Sequence, residues 1–316
     1  MQKQVGMFEQ WGDIIRCPKD GAPLQLVSLP EFASRRDGGK NNFLCNFCER
    51  EFPVYKNIIC FVTQDLDDPR KTDEMWARDK AAQLYDKRAA VRDALEIPPS
   101  LKAIGATADD LIIDLGCGTG RLTLKYLSKV RRVVAIDFSL ESLLLFQEKI
   151  PAFLRHKILL AQADVCEPPV VRGAFTKAVS FQVLEHLPTM EMRRKVFSTI
   201  ASLLLPGGSF VCTVYNWSRR KQRDARRGIG DNTRKEGLHD SGIYYYNFEP
   251  HEVRQLLQSA ELQVEVLQGL LFSIRGARFL GKAVVPLNRM LSALPFGKAF
   301  GHLLLCRATK VRRRNE

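Results

Sequence analysis

The stretch of sequence that decides the fold reads Leu111-Ile112-Ile113-Asp114-Leu115-Gly116-Cys117-Gly118-Thr119-Gly120. Its first residues form an apolar run, typical of a parallel strand that is buried on both faces. An acid follows, and glycines then alternate with other residues as G-x-G-x-G, which differs from the G-x-G-x-x-G of dinucleotide sites. Glycine permits a sharp strand-to-helix turn and lets a ligand approach the backbone closely. We therefore expect a ligand site where this strand ends.

The pattern of an apolar run followed by polar residues recurs along the chain, in the stretches 133–137, 158–164, 178–186 and 203–211. The first two of these stretches end in an acid, Asp137 and Asp164. In a doubly wound fold, a carboxylate at the tip of the second strand, about twenty residues beyond the glycines, holds ribose hydroxyls. We expect Asp137 to take that position.

In order and spacing, the five stretches resemble the motifs of class I S-adenosylmethionine-dependent methyltransferases, over roughly residues 108–268. The resemblance implies that Asp114 faces the methionine amino group and that Asp137 accepts the ribose hydroxyls. It also implies that Asp164 takes the adenine amine and that Gln182 lines the methyl pocket. The residues that it assigns to S-adenosylmethionine are Asp114, Gly116, Cys117, Gly118, Gly120, Asp137, Phe138, Asp164, Val165, Gln182 and Tyr85.

The alternation of strands and helices predicts an α/β fold with a parallel sheet covered on both faces. The resemblance implies a Rossmann-like, doubly wound sheet of seven strands, with the last strand, near 302–308, antiparallel. The periodicity of residues 76–95 predicts a helix that Pro98-Pro99 ends. In the family such a helix caps the cofactor, and an aromatic residue like Tyr85 touches it; plain packing is the alternative. The remaining predicted strands lie near 111–115, 132–136, 157–162, 177–181, 209–214 and 262–267.

The residues 181–186, Phe-Gln-Val-Leu-Glu-His, stand where enzymes that methylate exocyclic amines of bases have Asn/Asp-Pro-Pro-aromatic. They resemble instead the Glu-His of small-molecule methyltransferases. His186 is the candidate catalytic residue, because a histidine of ordinary pKa can take a proton from an acceptor hydroxyl. The alternative is a histidine that only bonds neighbouring backbone. His239 and Tyr244 to Tyr246 are rival candidates on a loop that would overhang the site.

The N-terminal part of the chain contains two pairs of potential metal ligands, Cys17 with Asp20 and Cys45 with Cys48. Two such turns on β-hairpins can present four ligands to one tetrahedral zinc ion. The region resembles the short zinc-ribbon-like domain that precedes some bacterial methyltransferases, although Asp20 stands where a cysteine is expected. Zinc and a metal-free ribbon both remain open at this point.

The sequence predicts three regions: a ribbon-like domain over 1–65, a helical linker or cap over 66–105, and a methyltransferase domain over 106–316. Two insertions interrupt the last region, at 216–247 and 269–300. The scattered cysteines suit reduced thiols, and no stretch resembles a secretory signal or an eighteen-residue apolar span. We therefore expect a cytoplasmic protein.

The formal net charge is +13, and it is unevenly placed. Residues 266–315 contain ten Lys or Arg and no Asp or Glu, and 219–227 forms a second basic cluster. Such charge predicts an anionic partner, with a solvated face as the alternative. Apolar residues interleaved with basic ones over 269–300 favour an amphipathic lid that docks on anionic membrane.

Two functions are therefore open. The first is methyl transfer to a small-molecule or lipid-like acceptor, at a membrane surface where the basic insertion docks. The second is methyl transfer to RNA, with the ribbon and basic loop binding phosphate. The second is less favoured because the aromatic and Gly-x-Gly features of RNA-binding modules are absent.

Overall fold

A computed structural model of the chain describes residues 8–28, 41–62, 69–85, 90–228, 234–272, 284–294 and 296–312. Its strands are β1 (Leu24–Ser28), β2 (Asn41–Cys45), β3 (Glu51–Tyr55), β4 (Ile58–Cys60), β5 (Leu111–Leu115), β6 (Arg132–Asp137), β7 (Ile158–Gln162), β8 (Phe175–Phe181), β9 (Leu204–Tyr215), β10 (Glu236–Leu238), β11 (Tyr244–Tyr246), β12 (Leu262–Leu270) and β13 (Leu303–Lys310). The α-helices are α1 (Pro69–Tyr85), α2 (Ala90–Ile104), α3 (Thr123–Tyr126), α4 (Leu140–Lys149), α5 (Met190–Leu203), α6 (Arg219–Arg226), α7 (Pro250–Ser259) and α8 (Val284–Ala293).

The main sheet is mixed and has eleven strands in the order β1-β2-β3-β4-β7-β6-β5-β8-β9-β13-β12. We predicted a seven-stranded sheet and a ribbon apart from it; instead β1 to β4, which belong to the predicted ribbon, continue the sheet of β5 to β9, β12 and β13. Strand β4 runs parallel to β7, with Ile59 opposite Ala161, and so joins the N-terminal strands to the sheet. Without β4, strand β7 would be an open edge with unpaired backbone groups.

The orientation of the strands agrees with the Rossmann-like prediction. The core strands β7, β6, β5, β8 and β9 are parallel to one another. The last strand, β13, is antiparallel to both of its neighbours, β9 and β12, as predicted.

The core consists of two apolar layers, one on each face of the sheet. Successive residues of β5 point to opposite faces, so Ile113 packs in one layer and Ile112 in the other. All five residues of this strand are buried. Burial on both faces explains why the strand is a continuous apolar run rather than an alternating one.

The predicted helix over 76–95 has different bounds in the structure. Helix α1 starts earlier, at Pro69, and α2 runs from Ala90 through Pro98 and Pro99 to Ile104. The prediction that the two prolines end the helix is wrong. Ile97, Ala103 and Ile104 are buried in the core on both sides of the proline pair, and this packing overrides the low helix propensity of proline.

The helix after the glycine loop is short. Only Thr123–Tyr126 is α-helical, and Leu127–Lys129 continues as a 3-10 turn. Among the described residues, each helix is too short or too polar to cross a membrane.

Candidate functional site

One cavity of about 1240 Å³ lies beyond the carboxyl ends of β5, β6 and β8. This is where ligands bind in doubly wound sheets. Most of the predicted cofactor residues line it, namely Asp114, Gly116, Cys117, Gly118, Asp137, Phe138, Asp164, Val165 and Gln182, and so does His186. Gly120 does not line it, and the side chain of Tyr85 lies outside the described residues.

The glycine loop is held by main-chain hydrogen bonds. The N–H groups of Gly116 and Cys117 donate to the carbonyl of Ile136, at 2.8 and 3.0 Å. The N–H of Gly118 donates to Oδ2 of Asp137 at 2.7 Å. The loop and the tip of β6 thus form one rigid unit.

The three glycines have positive φ angles but serve different purposes. A Cβ on Gly120 would lie 2.1 Å from the ring of Phe146, and one on Gly116 would lie 2.3 Å from Val183. These two positions require glycine for packing within the protein. A Cβ on Gly118 would meet no atom within 4 Å, because this glycine borders open space in the cavity. Gly118 is therefore the position where a ligand can approach the backbone.

Asp114 is buried and anchored to the helix that follows the loop. Its Oδ2 accepts hydrogen bonds from the Thr123 hydroxyl at 2.6 Å and the Tyr126 hydroxyl at 2.9 Å. Burial raises the pKa of Asp114 to about 6, although the two hydrogen bonds favour the charged form. At neutral pH the group is a carboxylate that can attract an ammonium group.

Asp137 closes β6 and receives two backbone hydrogen bonds. Its Oδ1 accepts from the N–H of Ser139 at 2.9 Å, and its Oδ2 accepts from Gly118. Burial raises the pKa of Asp137, and these backbone bonds oppose that shift. Each oxygen retains a lone pair, so the carboxylate can also accept hydroxyl groups from a sugar.

Asp164 is paired with a lysine that sequence reasoning did not single out. Lys71, on α1, lies 2.5 Å from Oδ2 of Asp164, and the N–H of Cys166 donates to Oδ1 at 2.8 Å. The carboxylate predicted to receive an adenine amine therefore already carries an ion pair. No signal in the sequence links residues that lie this far apart along the chain.

Gln182 has a φ of 58°, which is rare for a residue other than glycine. Its Nε2 donates to Oε1 of Glu96 at 2.6 Å. Glu96 is 1% exposed and also binds Arg121. Glu96 was missed in the sequence because a single acid on a helix face carries no motif.

His186 is buried and lines the same cavity as Asp137 and Asp164. Its Nδ1 lies 2.6 Å from the carbonyl oxygen of Tyr244, which can only accept, so Nδ1 carries the proton. Burial lowers the pKa of His186 well below its usual value. The ring is therefore neutral, and Nε2 is its acceptor atom.

An aromatic wall surrounds His186 and consists of Tyr215, His239 and Tyr244, all of which line the cavity. The ring centroids of His186 and Tyr215 lie 5.8 Å apart, and those of Tyr215 and His239 lie 6.1 Å apart. The structure thus brings His239 and Tyr244 to the site, as expected for rivals of His186. Tyr215 was missed, since it only ends an apolar strand in the sequence.

Glu185, next to His186 in the chain, is fully buried. Neither of its carboxyl oxygens has a hydrogen-bond partner within the described part of the chain. Burial raises the pKa of Glu185 to about 8. A buried acid without partners remains protonated at neutral pH.

The four predicted metal ligands of the N-terminal region, Cys17, Asp20, Cys45 and Cys48, come together with their ligand atoms within 4.8 Å of one another. The sulfurs of Cys17 and Cys48 are 3.6 Å apart, and the Cys45 sulfur lies 3.4 Å from Oδ2 of Asp20. Zinc–sulfur bonds of ~2.3 Å in a tetrahedron place sulfurs roughly 3.8 Å apart, so the residues fit zinc. The N–H of Ala22 lowers the pKa of Asp20 to about 2, and this ligand is charged at neutral pH.

Comparison with known proteins identifies the central part of the chain. Residues 112–208 match the family model of the methyltransferase domain. The chain is 25% identical over 158 residues to magnesium-protoporphyrin O-methyltransferase of Rhodobacter capsulatus. The alignment covers 46% of this chain and 70% of that protein.

Solved structures show the same fold over a larger part of the chain. The 1,6-didemethyltoxoflavin-N1-methyltransferase of Burkholderia thailandensis, solved with S-adenosylhomocysteine, has a TM-score of 0.51 at 18% identity, covering 84% of this chain and 98% of that one. Geranyl diphosphate C-methyltransferase of Streptomyces coelicolor has a TM-score of 0.52 at 15% identity, covering 77% and 98%. The chain thus shares the fold of these methyltransferases, and its residues 112–208 match the methyltransferase-domain model.

Proposed function

We propose that the protein transfers a methyl group from S-adenosylmethionine to a small-molecule or lipid-like acceptor. One observation carries this proposal: a single cavity contains both the glycine loop with Asp137 and the aromatic wall around His186. Its volume of about 1240 Å³ exceeds the 300–1,000 Å³ typical of small-molecule sites. The cavity therefore has room for a cofactor and a second molecule together.

The residues at the cofactor end suit S-adenosylmethionine. Gly118 leaves space against the backbone, and Asp137 offers acceptor oxygens to ribose. When bound, the cofactor supplies a methyl group that is carried on a positively charged sulfonium sulfur and leaves a neutral thioether behind. The protein has mainly to orient the two reactants and exclude water, and orientation alone can lower the barrier by about 7–11 kcal/mol.

His186 is suited to take a proton from the acceptor. Its Nδ1–H is held by the Tyr244 carbonyl, which fixes the tautomer and directs the lone pair of Nε2 away from that bond. Burial lowers the pKa of His186, so the ring is neutral at pH 7 and the lone pair of Nε2 can accept a proton, which the same low pKa makes weakly held. We assign His186 as the general base for an acceptor hydroxyl.

Labelled-methyl transfer tests this assignment. The protein is incubated with methyl-labelled S-adenosylmethionine and a whole-cell extract, which is then divided into organic-soluble, small aqueous and RNA fractions. Label in the organic-soluble or small aqueous fraction, lost in His186→Ala, supports the proposal. Label found only in RNA contradicts the acceptor class and favours the RNA methyltransferase.

The proposed membrane surface is a patch of exposed apolar and basic side chains, which we call the docking patch: Met290, Phe296, Phe300, Arg219, Arg289 and Lys298. Met290 and Phe296 are each 58% exposed, and Phe300 is 43% exposed. The Arg219 guanidinium lies 5.8 Å from the ring centroid of Phe300. Apolar side chains with only basic charges among them suit an anionic bilayer.

The docking patch adjoins the acceptor end of the cavity. Asn216 follows Tyr215 of the aromatic wall, and its side-chain amide donates to the carbonyls of Lys298 and Gly301, each at 2.8 Å. The segment that carries Phe296 and Phe300 is thus tied to the strand end that lines the cavity. Arg275, Arg278 and Lys282 of the predicted lid lie outside the described residues.

Vesicle binding tests the docking patch. We expect binding to vesicles that contain phosphatidylglycerol, weaker binding to phosphatidylcholine alone, and loss of binding as salt rises. The double variant Phe296→Ser/Phe300→Ser should lower the vesicle affinity at least about ten-fold, since two rings no longer enter the bilayer. Phe153→Ser is the matched control, because Phe153 is 74% exposed elsewhere. Binding to RNA with a steep salt dependence, and none to vesicles, would contradict the patch.

For the N-terminal cluster we propose a structural zinc ion on Cys17, Asp20, Cys45 and Cys48. Purified protein should then contain about one equivalent of zinc, and a chelator should lower the unfolding temperature. Cys48→Ser should lose the metal, whereas Cys60→Ser, on β4 outside the cluster, should keep it. Metal-free wild-type protein of unchanged stability would show a metal-free ribbon.

A further inference from the structure

Glu96 is a buried acid of α2, and its carboxylate connects this helix to residues in both halves of the site. Its Oε1 accepts from Gln182 Nε2 at 2.6 Å and from the Thr213 hydroxyl at 3.1 Å. Its Oε2 accepts from Arg121 Nη2 at 2.8 Å, and Arg92 Nε lies 3.5 Å away. All four of these partners offer hydrogen-bond donors, and the residue is only 1% exposed.

The contact with Gln182 determines how that side chain is turned. An ionised carboxylate only accepts hydrogen bonds, so the amide nitrogen of Gln182 faces Glu96. The amide is planar, and its oxygen therefore points away from Glu96. The backbone of Gln182 is also held, because its N–H donates to the carbonyl of Thr213 at 2.9 Å. Together these bonds maintain a φ of 58°, which is rare in a residue with a Cβ.

Gln182 lines the cavity, together with Gly116 of the glycine loop and His186. The next residue, Val183, packs so closely on Gly116 that no Cβ fits there. The loop then leads into His186 of the aromatic wall. Under the proposed function, this stretch borders the space where the methyl group passes from cofactor to acceptor.

Arg121 makes the second connection. It directly follows Gly120 of the glycine loop, and it bonds Asp93 Oδ1 at 2.5 Å as well as Glu96. Asp93 and Glu96 are neighbours on one face of α2, at i and i+3. Helix α2 is thus bonded to the glycine loop through Arg121 and to the end of β8 through Gln182.

We infer that Glu96 is a positioning residue, which orients the amide of Gln182 so that its oxygen faces the sulfonium methyl group. This inference rests on the proposed function. An amide oxygen carries partial negative charge and favours a sulfonium over a neutral thioether. Glu96 therefore contributes to the preference for S-adenosylmethionine over S-adenosylhomocysteine, which lacks both the charge and the methyl group.

The test is the ratio of the two affinities, measured by calorimetry on the full chain. In Glu96→Ala we expect the preference for S-adenosylmethionine to fall about five-fold, which corresponds to ~1 kcal/mol. Asp93→Ala is the matched control on the same helix, because it weakens the Arg121 contact but leaves Gln182 bonded. It should change both affinities alike and leave their ratio as in wild type.

Two further variants test the same preference if Glu96→Ala does not fold. Glu96→Gln can still accept from Gln182 and should retain most of the preference, whereas Gln182→Ala should lose it as Glu96→Ala does. An unchanged ratio in Gln182→Ala overturns the inference and leaves the proposed function intact. Wild-type protein that binds neither ligand overturns both.

Discussion

The proposed cofactor half and the proposed acceptor half of the cavity are built in different ways. The cofactor half consists mainly of backbone, the glycine loop and the strand ends with Asp114 and Asp137. The acceptor half consists of side chains from separate segments, including His186, Tyr215 and His239. One half depends on where the sheet ends, and the other on which residues the loops contribute.

This difference has a functional meaning. Backbone groups and strand ends keep their geometry whichever side chains surround them, so they suit a ligand that never changes. Side chains on loops can be exchanged without altering the sheet, and they suit an acceptor that differs between enzymes of one fold. Substitutions should accordingly separate folding, cofactor binding and acceptor chemistry.

The largest effect should come from the glycine loop, where two glycines should respond differently. Gly120→Ala should lower the free energy of unfolding by about 3 kcal/mol or more, because its Cβ would overlap the Phe146 ring and its φ is positive. Gly118→Ala should cost only ~1–2 kcal/mol but should abolish S-adenosylmethionine binding, since its Cβ fills cofactor space. Urea unfolding and calorimetry measure the two effects. Equal destabilisation by both variants would contradict the distinction.

The next effect concerns pH and Glu185, which precedes His186 in the chain but does not line the cavity. The pKa of Glu185 rises from 4.5 to about 8 in the folded chain. The folded state therefore holds a proton that the unfolded state loses above pH ~4.5, and stability falls as pH rises through this interval. Between pH 5 and 8 the wild type should lose roughly 3 kcal/mol relative to Glu185→Gln, by urea unfolding at each pH. Parallel pH profiles would show that Glu185 is not protonated in the folded chain.

The parallel core and the cofactor half were predictable because local rules produce them. Buried parallel strands are continuous apolar runs, and a strand end followed by glycines positions Asp114, Gly118 and Asp137 whatever the rest of the chain does. The predicted strands from 111 to 214 accordingly appear as β5 to β9. The antiparallel last strand came from the family resemblance.

The failures of prediction arise from contacts between distant residues. Strand β4 joins the sheet through backbone hydrogen bonds, which leave no side-chain signal. Pro98 and Pro99 remain helical because the packing of the buried residues around them outweighs the low helix propensity of proline. Lys71 and Glu96 are ordinary charged residues in the sequence, and only the fold brings them to Asp164 and Gln182.

Calorimetric titration of S-adenosylmethionine into wild type, Asp137→Ala and His186→Ala tests the central claim, that one cavity holds a cofactor half and an acceptor half. We expect binding by the wild type, and a loss of about 1–3 kcal/mol in Asp137→Ala through hydrogen bonds to a charged group. His186→Ala should lose less than half as much, because it lies in the acceptor half. Unchanged affinity in Asp137→Ala, or equal losses in both variants, would contradict this division of the cavity.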